Sequence, residues 1–471
     1  MSLAKKTVLA VLPLLASCSV GPRYHRPAPT PNPVPADYKE IEGWKPADPV
    51  TLPGGAWWQA YNDPLLDALE QKIAVSNQTV AADAADYRAA QALVAEAQAG
   101  LFPVLSASFA ASRSGSGAGS AATTTGLSRG GTSSSLTPEL AASWTLDIWG
   151  SIRHQIEEAR QNAEVSKADL AYATLSAQAT LASDYFQLRS ADALEDLLTR
   201  TVAADQRSLD ITQNQYNAGT ATSADYASAS AQVAGVRAQL AGVASSRAIY
   251  EHAIAVLSGD APAAVSITAA PLATQVPVPP AGVPSALLER RPDIAAAEHS
   301  MQAENQAIGV AVAALYPTIT LSASGGFTSN ALHNLFNVAN RFWSLGASSA
   351  YPIFEGGALV AAVAAARADY DASVATYRET VLTAFQGVED QLATLHALQN
   401  ESSLNDQAVA ASQKAVDVYL NQYKAGTVSY TSVVTAQDTL LADQQTALTT
   451  QTDRLLASVT LIEDLGGGWQ K

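Results

Sequence analysis

Residues 210–219 read DITQNQYNAG, and residues 417–426 read DVYLNQYKAG. Seven of the ten positions are strictly or loosely the same. Each stretch ends a long heptad-like run and precedes another. Asn-Gln-Tyr-x-Ala-Gly is a helix C-terminus, because Gly219 and Gly426 can take the left-handed cap conformation that a Cβ resists. Ser223 and Ser429 are placed to cap the helices that follow. The chain therefore reads as two copies of one helical hairpin, each with its turn at the far tip.

Upstream of the first tip, residues 151–217 keep a helical rhythm. Ile152, Ile156, Ala159, Ala163, Ser166, Leu170, Ala173 and Ala177 step by four and three. After one extra residue the rhythm resumes at Leu181, Leu188, Ala191, Leu198, Val202, Leu209 and Tyr216. No Pro or Gly interrupts it, so a very long coiled-coil-like helix is expected. At 1.5 Å per residue it would span on the order of 100 Å. A second helix runs over 223–257. Earlier in the chain, Asp63 caps a helix with Pro64 at its first position, and the pattern continues to Ala99 with a break near Ser76 and Asn77.

Between these helices the period changes to two. Leu105, Ala107, Phe109 and Ala111 alternate with Ser106, Ser108, Ala110 and Ser112, and Leu140, Ala142, Trp144, Leu146 and Ile148 alternate with Glu139, Ser143, Thr145 and Asp147. These are strands with one apolar and one small polar face. The Gly/Ser/Thr-rich stretch 113–135 between them reads as a loop. The second half repeats the order: a helix over 292–315, strands at 319–323 and 343–347, a long helix over 357–423, the tip, and a helix to Leu465. Phe102-Pro103 and Tyr316-Pro317 mark the same helix-to-strand junction in both halves.

The chain has 471 residues, 48% hydrophobic and 15% charged, with a formal charge of −16. That acidity excludes a nucleic-acid partner, which needs a basic face. Residues 1–17 read as a secretory signal peptide: Lys5 and Lys6, a short apolar run, then small residues. The run ends Leu15-Ala16-Ser17-Cys18, which resembles the lipobox of bacterial lipoproteins. Cys18 is then the lipidated N-terminus, and Ser19 in place of Asp favours outer-membrane sorting. Cys18 is the only Cys, so no intrachain disulfide forms. Removing 1–17 takes away two lysines and brings the charge to −18. Residues 18–56 are Pro-rich and read as an extended tether. The remaining divisions are 57–258 for the first repeat, 259–291 for a connector, 292–466 for the second repeat and 467–471 for a tail.

After the signal stretch, no run of eighteen apolar residues is present, so no spanning helix is expected. A membrane crossing would need a closed barrel. Four strands cannot enclose a lumen, whereas three chains would supply twelve. The fold class is mainly α with a small β part: long helical hairpins building an α-barrel, plus four strands per protomer of a transmembrane β-barrel, in a trimer.

Trp57-Trp58 with Asp63-Pro64, the segment PSALLERRPDI at 284–294, and AIGVA at 307–311 followed by Tyr316-Pro317-Thr318-Ile319 resemble the outer membrane factors. These are the TolC-type exit ducts of tripartite efflux pumps. The resemblance covers nearly the whole chain after Cys18, and Leu-Leu-x-Arg-Arg-Pro-Asp-Ile carries most of its specificity. It implies a homotrimeric duct in outer-membrane lipid, a periplasmic adaptor docked on the tips, and a proton-driven RND-type inner-membrane pump. By the resemblance, Tyr216, Gly219, Thr220, Tyr423, Gly426 and Thr427 meet the adaptor.

Gate candidates lie where the helices leave the tips: Asp225, Tyr226, Tyr430 and Thr435. Several family members carry an acidic residue at the place of Thr435, so a carboxylate ring would have to come from Asp225 instead. The segment at 290–293, Arg-Arg-Pro-Asp, reads as a structural helix start. His25, His154, His252, His299, His333 and His396 are scattered, and no His-Glu-x-x-His pattern occurs, so no catalytic, cofactor or metal site is expected. The alternatives are a protein-secretion duct of the same fold and a pore-less periplasmic scaffold lipoprotein.

Overall fold

Asp63 starts the ordered helical body: its Oδ1 accepts from the N–H groups of Leu65 and Leu66 at 2.9 and 3.2 Å, with Pro64 in the first turn. The computed structural model describes residues 19–30, 32–34, 37–41, 56–115, 132–277 and 290–467. The expected signal peptide, Cys18, most of the 113–135 loop, Pro284 to Glu289 of the family-like segment and the end of the tail lie outside the described residues.

Two helices, α1 (Pro64–Ser76) and α2 (Gln78–Ala99), are separated at Asn77. Asn77 accepts from the N–H groups of Thr79 and Val80 and so restarts the helix. Then come β1 (Val104–Gly115), β2 (Thr132–Leu146), α3 (Ser151–Asn217) and α4 (Ser223–Leu257). The second half supplies α5 (Pro292–Ala313), β3 (Thr318–Phe327), β4 (Arg341–Ala350), α6 (Ala358–Lys424) and α7 (Tyr430–Asp464). The repeat is near-perfect in length: α3 and α6 both have 67 residues, α4 and α7 both 35, α2 and α5 both 22.

The chain divides into two compact units. One holds the sheet and the helix ends attached to it. Its four strands are antiparallel in the order β1-β2-β3-β4, and among the described residues the outer edges of β1 and β4 have no strand partner. The register puts Leu105 opposite Ala142, Ala107 opposite Leu140, Ala142 opposite Ala323, Trp144 opposite Leu321 and Ala323 opposite Leu345. Directly opposed residues share a face, so one face is apolar across all four strands. The other face carries Ser106, Ser108, Ser143, Thr145, Thr320, Ser322, Ser324, Ser344 and Ser348. β2 begins at Thr132, seven residues before the expected alternation, because Ser and Thr fill its early positions and hide the period. It ends at Leu146. Asp147 and Ile148, expected on the strand, lie beyond it. Asp147 instead caps α3, accepting from the N–H groups of Ile152 and Arg153 at 2.9 and 3.1 Å and from Arg153 Nε at 2.9 Å. Ser19 and Val20 are held in this unit. Val20 N–H donates to Trp149 C=O at 3.0 Å, and His154 Nε2 is 2.8 Å from Val20 C=O. Gly21 and Gly309 allow the approach: a Cβ on Gly309 would meet the His154 ring at 2.6 Å.

The other unit holds the main helical core. Trp57, Trp58, Tyr61, Leu66 and Ile73 pack with Leu181, Tyr185, Phe186, Leu188, Ile254, Leu455 and Val459. Burial of such large side chains contributes about 1.5–3 kcal/mol each. Two ionic clamps tie loops to helices here. Arg291 grips Asp293 through Nε and Nη2 at 3.0 and 2.8 Å, and its Nη1 reaches the C=O and carboxylate of Asp464, each at 3.0 Å. The Arg-Arg-Pro-Asp stretch thus locks the start of α5 to the end of α7. Arg189, Asp192, Arg247 and Glu251 form the second clamp and bind backbone groups of Ile267, Thr268 and Ala270 in the connector.

Candidate functional site

Both tips close by the same turn. Gly219 and Gly426 take φ values of 75° and 73°. Their N–H groups donate to the C=O of Tyr216 and Tyr423, each at 2.9 Å. Thr220 N–H reaches Gln215 C=O at 2.8 Å, and Thr427 N–H reaches Gln422 C=O at 3.0 Å. Each threonine hydroxyl donates to that same carbonyl at 3.0 Å. This satisfies carbonyls that a bare helix end would strand. Gly219, Thr220, Gly426 and Thr427 are all exposed.

The restarts differ. Thr222, not Ser223, caps α4; Ser223 is already the first helical residue. Thr222 and Asp225 form a reciprocal capping box. Spacing alone does not separate the two, because both hydroxyl residues precede the run. The cap goes to the one three residues before a carboxylate that can return the bond. In the second copy Ser429 holds the cap position but makes no side-chain bond, since Ser432 stands where Asp225 would be.

Tyr216 stacks on Tyr226 with ring centroids 5.8 Å apart and planes at 16°. Tyr423 and Tyr430 pack at 5.1 Å and 58°. The second pair is internal: Tyr430 is 1% exposed and Tyr423 6%, in a cluster with Ala229 and Val433. Burial, with Asp205 next in effect, pushes the Tyr430 hydroxyl up from its ordinary range. Of the gate candidates, Tyr430 therefore sits inside the protomer. Asp225 and Tyr226 are half-buried, and Thr435 is exposed on a groove of about 390 Å³ lined also by Tyr419, Thr431, Ser432 and Thr439.

Behind the tips runs a buried polar seam. Tyr423 Oη donates to Thr212 Oγ1 at 3.3 Å and Gln437 Nε2 donates to Ser208 Oγ at 3.2 Å, while at the exposed margin Gln232 Nε2 donates to Asp438 Oδ1 at 2.7 Å. Asp205 is 1% exposed. Its Oδ2 and the Oε1 of Gln437 find no partner among the described residues. Both side chains line a cavity of about 230 Å³ with Arg200, Gln413 and Leu441. Burial, then the Asp438 carboxylate, raises the Asp205 carboxyl to about 6, against the pull of Gln232. The signal for this seam was in the heptads: the four-three steps from Leu198 and Val202 fall on Asp205, then Leu209, then Thr212, then Tyr216.

In the sheet unit the apolar face presents large exposed side chains. Leu105, Phe109, Leu140, Trp343 and Leu345 are exposed, Trp343 by 75%. An uncovered apolar face bounded by two unpaired edges is unstable in water. Among the described residues no helix is long and apolar enough to cross a membrane, and none holds a cluster of three or more metal-ligating side chains.

Residues 69–260 and 283–467 match the model of the family "Outer membrane efflux protein", and the chain belongs to that family. It is 32% identical over 420 residues to the pyoverdine export outer membrane protein OpmQ of Pseudomonas aeruginosa, covering 88% of this chain and 87% of that one. It is 28% identical to the cation efflux system protein CusC of Escherichia coli, over the full length of both. Among solved structures it resembles the outer-membrane channel OprN with a TM-score of 0.87 and 28% identity, covering 96% of this chain and 100% of that one. The chain resides in the outer membrane and extends into the periplasm.

Proposed function

We propose that three copies of this chain close a twelve-stranded barrel, with β4 of each pairing with β1 of the next. The assembly is the passive exit duct of a tripartite pump. The observation that supports this most is the continuous apolar face of a sheet whose two edges have no strand partner among the described residues. Closure removes both edges, lipid covers the apolar face, and the Ser/Thr face lines a wet lumen. Strands of about ten residues, tilted, match an apolar band roughly 25 Å tall.

Cys18 carries the lipid in this reading. The bonds that hold Ser19 and Val20 beside Trp149 and His154 bring the chain to the end of β2 immediately after Cys18. The exposed residues Tyr216, Gly219, Thr220, Gly426 and Thr427 meet a periplasmic adaptor, with the buried Tyr423 bracing the second turn from behind, and an RND-type pump drives transport. Asp225, Tyr226 and Thr435 face the constriction, and Tyr430 supports it from inside the protomer. The cargo spans too many chemistries among the relatives to be fixed by the duct, which offers a lumen rather than a pocket.

Size measurement in mild detergent and planar-bilayer recording test the reading together. A trimer with discrete conductance steps is expected. A monomer, or a trimer without conductance, would refute it.

A further inference from the structure

Three charged residues lie in the four strands: Arg113, Glu139 and Arg341. The register sorts them. Glu139 pairs with Ser108 and Gly326 on the small polar face. Arg113 continues the Leu105, Ala107, Phe109, Ala111 ladder, and Arg341 continues Leu345 and Trp343. Both arginines are therefore on the apolar face, one on each edge strand. Each is the next same-face residue beyond the apolar run, at the hairpin end of the sheet. That end is opposite to the one where α2, α3, α5 and α6 attach. With the helices in the periplasm, it is the end toward the cell exterior. Both side chains are exposed, and neither makes an ion pair among the described residues.

We propose that Arg113 and Arg341 form a binding rim for phosphate-bearing lipid headgroups of the outer leaflet. The inference rests on the barrel reading above. In the closed barrel each junction of β4 with β1 brings the two arginines onto neighbouring strands, giving three equivalent rims. A guanidinium holds a phosphate by two parallel hydrogen bonds, where an ammonium offers a point charge. Its long stem follows the apolar face while the head reaches the polar layer. Trp343, two residues along the same face, sits where an indole favours the lipid boundary. The ligand is a lipid rather than a free anion, because only a lipid sets its phosphate at the border of an apolar surface and its chains against Leu105, Phe109 and Leu345.

The test compares the purified assembly in detergent with bisphosphorylated lipid A, with lipid A stripped of phosphate, and with inorganic phosphate. Bound lipid is counted by native mass spectrometry, and single-channel conductance is recorded on the same samples. The wild type should retain the phosphorylated lipid about tenfold better than the stripped one. R113Q/R341Q should lose most of that preference with conductance unchanged, and R113K/R341K should keep part of it. Equal preference in wild type and R113Q/R341Q would overturn the proposal, as would inorganic phosphate displacing the lipid at equal concentration. If R113Q/R341Q does not assemble, R113K/R341K decides: an undiminished preference overturns the proposal. A wild-type sample without conductance refutes the barrel, and this rim with it. A conducting sample with no phosphate preference refutes the rim alone.

Discussion

Oδ2 of Asp225 accepts from both the N–H and the hydroxyl of Thr222, at 3.0 and 2.8 Å, and the Asp225 N–H donates back to Thr222 Oγ1 at 3.1 Å. One carboxylate thus holds the first turn of α4 while standing among the gate candidates. Asp225→Ala removes charge and cap together and should cost about 1 kcal/mol. Asp225→Asn removes the charge and keeps an acceptor. Both variants should raise single-channel conductance. A rise in the alanine variant alone would assign the effect to a loosened turn, and no rise in either removes Asp225 from the gate.

Gly219 and Gly426 both have positive φ, with open space where a Cβ would go. The cost of a side chain there is backbone strain alone. Gly219→Ala and Gly426→Ala should each destabilise by about 1–2 kcal/mol, whereas asparagine at either site should cost less. Apparent melting temperatures in detergent decide. Equal losses for alanine and asparagine would show that something other than the left-handed turn is at stake.

Asp205 binds its proton up to about pH 6 in the folded tip, against an ordinary carboxyl value of 3.8. The folded form therefore holds a proton that the unfolded chain has released across that window. Stability from this group is full below pH 4 and falls as pH rises through 6, by at most about 3 kcal/mol. Asp205→Asn should flatten that fall in a melting-temperature profile from pH 4 to 7. A profile identical to the wild type would show that Asp205 is ionised throughout.

Glu70 on α1 is wholly buried, and neither carboxyl oxygen has a partner among the described residues. Burial raises its carboxyl to about 9, so it is a neutral acid at pH 7. Its contribution is lost as pH climbs from the ordinary 4.5 toward 9. Glu70→Leu should stabilise the protein at pH 8 by about 1–3 kcal/mol, with Glu70→Gln in between. A lower melting temperature for the leucine variant would reveal a partner for the acid.

The helices could be read from residue spacing because their four-three steps persist over many turns, with only a one-residue slip after Ala177 in α3 and a break at Asn77. The start of α3 at Ser151 follows from Ile152 and Ile156, and its end at Asn217 from Gly219. The sheet was less readable. The early part of β2 is Thr132, Ser133, Ser134 and Ser135, where both faces look alike and no alternation survives. Asp147 matched the polar phase of a strand, and only its bonds to Ile152 and Arg153 show it as a helix cap. The buried seam is not legible in the sequence because Asp205 and Thr212 occupy apolar heptad positions, and a polar residue in a seam reads as a gap rather than a partner. The place of Arg113 and Arg341 on the apolar face follows from the strand register, which residue spacing does not fix.

The two tips are alike in sequence but unequal in fastening. One turn is latched by Thr222 and Asp225; in the other, Ser429 has no answering carboxylate. Around a threefold axis, stiff and slack corners would alternate. An opening force applied evenly would then spend itself first at the slack ones, so the mouth would dilate as a triangle before it rounds out.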